Sequence, residues 1–522
     1  HAGHRVAVVH NGIIENDRAL REQLTAEGVV FQSDTDTEVI PWLVESILAQ
    51  GMGIEQAWAQ AIAGLKGAYA VAMVDSHDPD HLYVARKGSP MALATMADGG
   101  VMVSSDPMAM APWVRSVVIL EDGDRGIVSA SGWRLWDEHG LPVERPERTL
   151  PKQGDAQDRG IYDHYMLKEI HEQPEVLGRL FAKQAVSEGM KTDPMQPDSM
   201  DWLGMKAVQI FGCGSSYFAG QLGARWLERY AQLPAQSCLA SEYRGHRPIL
   251  PEGGLALAMS QSGETADTLT ALRCFIGQGF RLSAMVNSPF TTMERLVDHC
   301  WHIEAGKEVS VAATKSFTAQ MLMLALIALH AGHRRGVLDR AGYDEAMEDL
   351  ASLPSRVAEV LAMMPQWDSW AKESASFSSH IMIARGDLMP LASEGALKMK
   401  ELAYIHAEAI PGGECKHGPL ALIDESMPVT ILLPSGPGLA AGLSTAEEIV
   451  ARSRRVMIVT DHEGASHCRH LGVPMVLLPM APPLLQPFLY AIPMQYLAYR
   501  TAVFKGLEID QPRHLAKSVT VE

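Results

Sequence analysis

Several features that would announce a class of protein are scarce in these 522 residues. There are six cysteines, Cys213, Cys238, Cys274, Cys300, Cys415 and Cys468, scattered and with no CxxC pair. That is neither a disulfide framework nor a zinc pattern, so a reducing, cytoplasmic compartment is expected. Basic residues are outnumbered, 44 Lys and Arg against 62 Asp and Glu, and the formal net charge is −18. Phosphate backbones need a basic face, which argues against nucleic acid as a partner. No apolar run of about 18 residues is uninterrupted, so no membrane span is expected. Neither a signal peptide nor a low-complexity tract is visible. The chain opens on His1 rather than Met, and strand-like Val6–Val9 follows almost at once. It reads as a fragment cut inside its first domain.

What is present is globular: 47% hydrophobic and 20% charged residues. At roughly 150 residues per domain the length predicts three or four domains. Up to about residue 150, β runs follow one another at Ala68–Val74, Leu82–Ala85, Val101–Val103 and Val117–Leu120. Helical segments are expected between Glu15 and Ala26 and between Glu38 and Ala63. Strands in succession predict an antiparallel sheet. The polar stretch Pro151–Arg159 reads as a linker, and Tyr162–Pro174 as a helix opening a new domain. Beyond it, apolar β runs alternate with helices, the pattern of a parallel sheet with crossover helices.

That second region repeats itself. VQIFGCGSSYFAGQLGA from Val208 and HIMIARGDLMPLASEGA from His380 each read as strand, glycine turn and helix. The turn glycines Gly214 and Gly386 are 386 − 214 = 172 residues apart, and the helix glycines Gly223 and Gly395 keep the same offset, 395 − 223 = 172. Two copies of one nucleotide-binding-like α/β unit are predicted.

Five segments carry candidate chemistry. Ser260-Gln261-Ser262-Gly263-Glu264-Thr265 follows the strand Leu255–Met259 and opens the helix Ala266–Phe275. Helix-start N–H groups, three hydroxyls and an amide converge there, which suits a phosphate. Without a lysine it is no P-loop, so a sugar phosphate fits better than a nucleotide. The plainer alternative is a capped helix. Gly212-Cys213-Gly214-Ser215-Ser216 lies at the equivalent turn of the first unit, on the same sheet edge. No base adjoins Cys213, which reads as a small core residue rather than a nucleophile.

In Glu394–Glu408 (EGALKMKELAYIHAE), Lys398 and Glu401 share a helix face. An exposed ion pair is the ordinary reading. The apolar flanks favour instead a carboxylate held beside a cation in a partly dry cleft, a proton shuttle. Gly412–Pro419 is a glycine-rich loop carrying His417. The chain ends DQPRHLAKSVTVE, where Leu515, Ala516, Val519 and Val521 around Lys517 predict a docked tail. A desolvated lysine there has a lowered pKa suited to attacking a ketone.

These segments, with HNGIIEN at His10–Asn16, SDTDTEV at Ser33–Val39 and HYMLKEIHEQP after the linker, resemble the glucosamine-6-phosphate synthase family, the isomerizing glutamine–fructose-6-phosphate aminotransferases. The resemblance runs from Val6 to Glu522. It implies a partial type 2 glutamine amidotransferase domain of the N-terminal-nucleophile kind over 1–150, α+β with antiparallel sheets. A linker over 151–165 would follow, then sugar isomerase (SIS) domains over 199–339 and 370–507, each a parallel sheet flanked by helices. A tail over 508–522 would complete the sugar site. The implied reaction turns fructose 6-phosphate and glutamine into glucosamine 6-phosphate, with ammonia channelled between sites and neither a metal nor an organic cofactor. Asn11 and Gly12 would form the glutaminase oxyanion hole, and Asp36 would hold the α-amino group of glutamine. Cys213, Gly214, Ser215, Ser216, Ser260, Gln261, Ser262, Thr265 and Val311 would surround the sugar phosphate. Lys517 would form a Schiff base with the C2 ketone. Glu401, supported by Lys398, would move a proton between C1 and C2. His417 would assist ring opening in the partner subunit of a homodimer.

Three departures stand out. The nucleophilic cysteine segment of the family is absent from these residues. The family's VASTK loop is Val311-Ala312-Ala313-Thr314-Lys315 here, which removes one hydroxyl. Ser215 stands where a Thr is common. Competing functions are another SIS phosphosugar isomerase, a fructosamine-phosphate deglycase, or a sugar-phosphate sensor. None of these needs HNGIIEN and SDTDTEV.

Overall fold

The computed structural model describes residues 5–97, 99–150, 159–185, 200–243 and 251–519. Most of the expected linker, residues 151–158, lies outside them, as does Val521 of the tail.

Two compact units emerge, the first built mainly from residues before 157 and the second from most of the rest. The first opens with β1 (Val6–Ile14), α1 (Asp17–Ala26), α2 (Val39–Ala49) and α3 (Ile54–Ala63). The single helical stretch expected over Glu38–Ala63 is therefore two helices. Gly51 at φ +87° and Gly53 break it, since a left-handed backbone ends an α-helix. Next come β2 (Gly67–Asp75), β3 (Asp78–Lys87), β4 (Ala92–Thr95), β5 (Val101–Ser104), α4 (Pro107–Met110) and β6 (Ser116–Ile119). β7 (Arg125–Ser129), β8 (Gly132–Trp136), β9 (Pro142–Val143) and β10 (Glu147–Thr149) complete it. The strands form two antiparallel sheets, ordered β1-β2-β3-β7-β8-β9 and β10-β6-β4-β5. The helices cover the first sheet, with Trp58, Val44 and Leu24 buried against Val71 and Tyr83.

The second unit begins with α5 (Tyr165–His171) and α6 (Gln173–Ala185), two helices where the sequence predicts one. Pro174 sits in the first turn of α6, where its missing N–H costs nothing. The first α/β copy follows: β11 (Val208–Gly212), α7 (Gly214–Ala231), β12 (Ala235–Leu239), β13 (Leu255–Ser260), α8 (Ala266–Arg273), β14 (Arg281–Val286), α9 (Thr292–Arg295) and β15 (His299–His302). Helices α10 (Lys315–Arg334), α11 (Arg340–Ala362) and α12 (Asp368–Ser374) lead to the second copy. That copy is β16 (Ser379–Ala384), α13 (Met389–Ala403), β17 (His406–Pro411), β18 (Val429–Leu432), α14 (Leu439–Val450), β19 (Val456–Asp461), α15 (His462–Cys468) and β20 (Met475–Leu478), closed by α16 (Gln486–Phe504).

Both sheets are all-parallel and have the same order, β12-β11-β13-β14-β15 and β17-β16-β18-β19-β20. The repeat is structural. Gly214 and Gly386 turn the chain into the two helices at φ +53° and +56°, where an L side chain is strained. One continuous core runs under both sheets through α7, α10, α13 and α16. Helix α10 is the one described helix long and apolar enough to cross a membrane, but 89% of its apolar window is buried in this core. The fold is therefore two parallel-sheet α/β domains preceded by an α+β domain with antiparallel sheets.

Candidate active site

The hydroxyl-rich turns emerge from the carboxyl ends of β11 and β13, which pair in parallel as neighbours. Their glycines and serines are thus held at one sheet edge by strand register. Inside the loop Ser260 faces inward, 2% exposed. Its Oγ accepts the Gly263 N–H at 3.0 Å and contacts Thr265 Oγ1 at 2.9 Å. Ser262 Oγ accepts the Glu264 N–H at 3.2 Å. Ser260 braces the turn, while Gln261, Ser262 and Thr265 stay half-exposed at its mouth. From the adjacent turn, the Ser216 hydroxyl accepts a hydrogen bond from Gln320 Nε2 at 3.0 Å. Cys213 packs into the apolar cluster below, its Sγ 3.8 Å from Thr268 Oγ1. Burial pushes its thiol up, against the needs of a nucleophile.

The C-terminal tail reaches this loop. Ser518 Oγ donates to Ser262 Oγ at 2.9 Å, which sets Lys517 one residue from the hydroxyl cluster. The sequence predicts that apolar neighbours dock the tail. The structure corrects this: Leu515 is 46% exposed and Val519 54%. Polar contacts dock it instead. Asp510 accepts the N–H groups of Tyr165 and Met166 at 2.9 and 3.0 Å, capping α5, and its carbonyl accepts the Val311 N–H at 3.0 Å. The Arg513 N–H bonds Tyr404 Oη at 2.8 Å, with the guanidinium 4.3 Å over the same ring. Lys517 Nζ bonds Glu308 Oε2 at 2.5 Å.

Glu308 is fully buried and carries several donors. Thr314 and Ser316 give it their backbone N–H groups at 3.0 and 3.1 Å, and Ser316 its hydroxyl at 2.7 Å. Burial alone would raise its pKa, but the Lys517 charge and these bonds outweigh that and hold it below the usual carboxylate range. Glu169 behaves oppositely. Burial, then the neighbouring Glu308 charge, push it above that range, although Val309 and Ser310 donate backbone N–H groups to it. Ala313, half-buried in the same loop, offers only a methyl group.

Helix α13 supplies the third element. Lys398 is 0% exposed and lies 2.5 Å from Glu401 Oε2 and 3.2 Å from Glu394 Oε1. It also donates to Ser215 Oγ at 3.2 Å, and that hydroxyl donates to Glu394 at 2.9 Å. The dry pair expected on this helix is therefore a buried lysine between two carboxylates, tied to the turn that carries Ser216. Burial opposes a charged Lys398, yet Glu394 and Glu401 more than offset it and raise its pKa. Glu394 is pushed up to about 7, first by burial and then, against the pull of Lys398, by Glu401. One buried cation faces two carboxylates, and burial favours the neutral form of Glu394. Glu401, whose side chain is 22% exposed, is the member that faces outward.

The structure thus brings together Ser215, Ser216, Gln261, Ser262, Thr265, Lys398, Glu401 and Lys517. His417 stands apart, exposed on the loop after β17, and takes part in none of these hydrogen bonds. In the first unit, Asn11 and Gly12 lie on edge strand β1. At Gly12, φ +140°, a Cβ would fall 2.0 Å from the Ala68 carbonyl oxygen, so the strand needs glycine there. Asp36 Oδ2 accepts the Ile14 N–H at 2.7 Å. The buried Glu38 gathers the Gln32 and Ser33 N–H groups and the Ser33 hydroxyl, which fixes the Ser33–Val39 turn beside β1.

Sequence reasoning missed Glu308, Glu394, Gln320 and Ser518. Glu394 had a signal, four residues before Lys398 on the same helix face. Glu308 had none, because its lysine partner lies 209 residues away in sequence.

A SIS domain model matches residues 204–330 and 378–505, and a glutamine amidotransferase domain model matches residues 1–112. The chain is 40% identical over 519 residues to a glutamine–fructose-6-phosphate aminotransferase [isomerizing] of Agrobacterium fabrum, covering 99% of this chain and 85% of that protein. A protein of the same name from Caulobacter vibrioides is 40% identical over 522 residues, 100% of this chain and 86% of its own length. Among solved structures, the C-terminal domain of glucosamine-fructose-6-phosphate aminotransferase from Francisella tularensis is similar at TM-score 0.64 and 33% identity, covering 68% of this chain and all of that one. Tagatose-6-phosphate ketose/aldose isomerase from Escherichia coli matches at TM-score 0.55 and 16% identity over 67% of this chain and 97% of its own, a likeness of fold alone.

Proposed function

The chain belongs to the isomerizing glutamine–fructose-6-phosphate aminotransferase family, and from that premise we propose that the cluster just described is where fructose 6-phosphate is aminated and isomerised to glucosamine 6-phosphate. The observation that carries this reading is the Ser518–Ser262 hydrogen bond. It sets an amine one residue from a hydroxyl-lined helix start, the pair of groups that the carbonyl and phosphate ends of a ketose phosphate call for.

In this reading Ser216, Ser262, Thr265 and Gln261 hold the phosphate, with Ser260 bracing them. The Lys517 amine attacks the C2 ketone, water leaves, and an imine forms. Ammonia then displaces the lysine, leaving the C2 imine of ammonia. Glu401 takes a proton from C1, giving an enaminol, and a proton returns to C2. C1 becomes the aldehyde and C2 carries the amine. The iminium acidifies the C1 proton enough for a carboxylate to serve as base. Lys398 positions that carboxylate, and Glu308 positions the lysine. In the first domain, Asn11 and Gly12 stabilise the oxyanion as glutamine gives up its amide nitrogen, and Asp36 holds its α-amino group. His417 works on ring opening in the partner subunit of a homodimer. The six free thiols suit a reducing, cytoplasmic setting. The amidotransferase match over residues 1–112 speaks against a stand-alone SIS isomerase, deglycase or sensor.

Borohydride added with fructose 6-phosphate is expected to reduce the imine and leave the sugar on Lys517. Lys517→Arg is expected to lose that adduct, since a guanidinium keeps the charge but is no nucleophile at neutral pH. An adduct located by mass spectrometry on another lysine, or an Arg variant that turns over fructose 6-phosphate at the parent rate, overturns the assignment.

A further inference from the structure

The second parallel sheet has its own crevice. Its strand order reverses direction between β16 and β18, and open α/β sheets bind ligands outside the carboxyl ends of strands at such a point. A cavity of about 600 Å³ lies there, between the turn after β16 and the turn after β18. That is the volume of a small-molecule site. The counterpart of Ser262-Gly263 in the first copy is Ser435-Gly436, and both glycines have positive φ, +68° and +115°. The surrounding chemistry differs. Where the first loop reads SQSGET, the second reads Leu433-Pro434-Ser435-Gly436-Pro437-Gly438. Ser435 is itself committed, its hydroxyl and N–H both bound to Asp461 at 2.7 and 2.8 Å. The wall is aliphatic, with no free hydroxyl cradle for a sugar.

Three charged side chains border this largely apolar space: Arg229 pairs with Asp387 at 2.6 Å, which leaves Arg385 as the cation outside that pair. Arg385, at the position of Cys213 in the first copy (385 − 172 = 213), lines the cavity half-buried. Thr445 Oγ1 accepts its Nη2 at 2.9 Å and so orients the guanidinium. Its Nε is buried without a hydrogen-bond partner, and no carboxylate ion-pairs with it among the described residues. A half-buried guanidinium left without a counter-charge is costly to keep, and an anion relieves it. Helix α14, 12 residues long, starts at the same wall with Gly438 as its N-cap and no side-chain cap, so its first-turn N–H groups add positive potential.

We propose that this cavity is a second ligand site, distinct from the sugar-phosphate site, which takes an anion carried on a ring-sized apolar body, with the anionic group at Arg385 and the body against the proline- and leucine-lined wall. The probe is phenyl phosphate, titrated calorimetrically into the full chain. The first site is weakened by Ser262→Ala with Thr265→Ala. In that background saturable binding of one equivalent per chain is expected to persist. Arg385→Gln is expected to weaken it by about tenfold or more. Gly438→Leu is expected to do the same by filling the cavity, and it leaves the fold intact, because a Cβ at Gly438 meets nothing within 4 Å and its φ is ordinary. Inorganic phosphate alone is expected to bind more weakly, for want of the apolar body. Loss of phenyl phosphate binding in the Ser262→Ala/Thr265→Ala chain, or binding there that is indifferent to Gly438→Leu, overturns the proposal.

Discussion

In the first SIS domain the loops are polar and the helix behind them is apolar; in the second the arrangement is inverted. The 172-residue offset makes the comparison residue by residue. Glu394 and Lys398 on α13 correspond to Leu222 and Trp226 on α7 (394 − 172 = 222; 398 − 172 = 226). All four are essentially unexposed. The backbone frame is therefore indifferent to whether this helix face buries hydrocarbon or charge. What decides is the neighbour. The apolar face of α7 packs against α10 and α16, through Leu324 and Phe488. The charged face of α13 meets Ser215, at the start of α7, whose hydroxyl donates to Glu394 and accepts from Lys398. One domain contributes the hydroxyl cradle and the other the buried ion triad, so in the proposed reading a duplicated unit yields one composite sugar-phosphate site rather than two equal ones.

The sharpest way to break that comparison is to make α13 resemble α7. Replacing Lys398 with Met leaves Glu394 and Glu401 without their cation in a dry environment, and is expected to destabilise the chain by about 3–5 kcal/mol in urea unfolding. The double variant Glu394→Leu/Lys398→Met recovers part of that loss, because one uncompensated carboxylate goes with it. If Lys398→Met unfolds with the parent midpoint, the triad contributes nothing to the fold.

The triad also predicts a pH dependence that the first domain's helix lacks. Glu394 is pushed up to about 7 from the ordinary 4.5. Between those values the folded state holds a proton that the unfolded state has released. Stability from this group is therefore fully present below about 4.5 and declines as pH rises through about 7, by at most about 3 kcal/mol. Glu394→Gln, which keeps an acceptor for Ser215, is expected to remove that decline, so that the parent-minus-variant stability difference falls as pH rises over that window. A difference that grows as pH rises would put the shift in the wrong direction.

How far these features could be read in the sequence varied with their range. The paired glycines were legible because each answers to local geometry. Gly214 and Gly386 adopt positive φ, and a Cβ at Gly223 or Gly395 would strike Leu324 or Met382. The parallel sheets followed from alternating runs, and Lys398 with Glu401 from helical spacing. Long-range polar contacts left no such trace. Glu308 finds Lys517, and Asp510 caps α5, only because the tail folds back over the second unit. The tail's apolar residues therefore pointed to the right event for the wrong reason: Leu515 stays at the surface while charged partners hold the chain down. The break at Gly51–Gly53 was in plain view, but continuous apolar residues on both sides masked it.

The gentlest test addresses the loops. Ser262 and Ser435 both precede a glycine of positive φ at the carboxyl edge of a parallel sheet, yet their hydroxyls are spent differently. Ser262 is half-exposed and its Oγ shares its bonds with the tail and with the Glu264 N–H, where the proposed phosphate would bind. Ser435 Oγ is tied to the buried Asp461, which it shares with the Gly464 N–H at 2.8 Å. Ser262→Ala together with Thr265→Ala is expected to weaken fructose 6-phosphate binding by about 1–3 kcal/mol, the worth of lost charge-assisted hydrogen bonds. Ser435→Ala removes a hydroxyl at the matching position and is expected to leave that affinity unchanged, while lowering thermal stability through the lost bond to Asp461. Calorimetry on the three proteins separates the cases. An equal loss of affinity from both loops would mean that the second domain also binds the sugar phosphate and that the division between polar and apolar loops is not functional. No loss from either would take the Ser260–Thr265 turn out of the site.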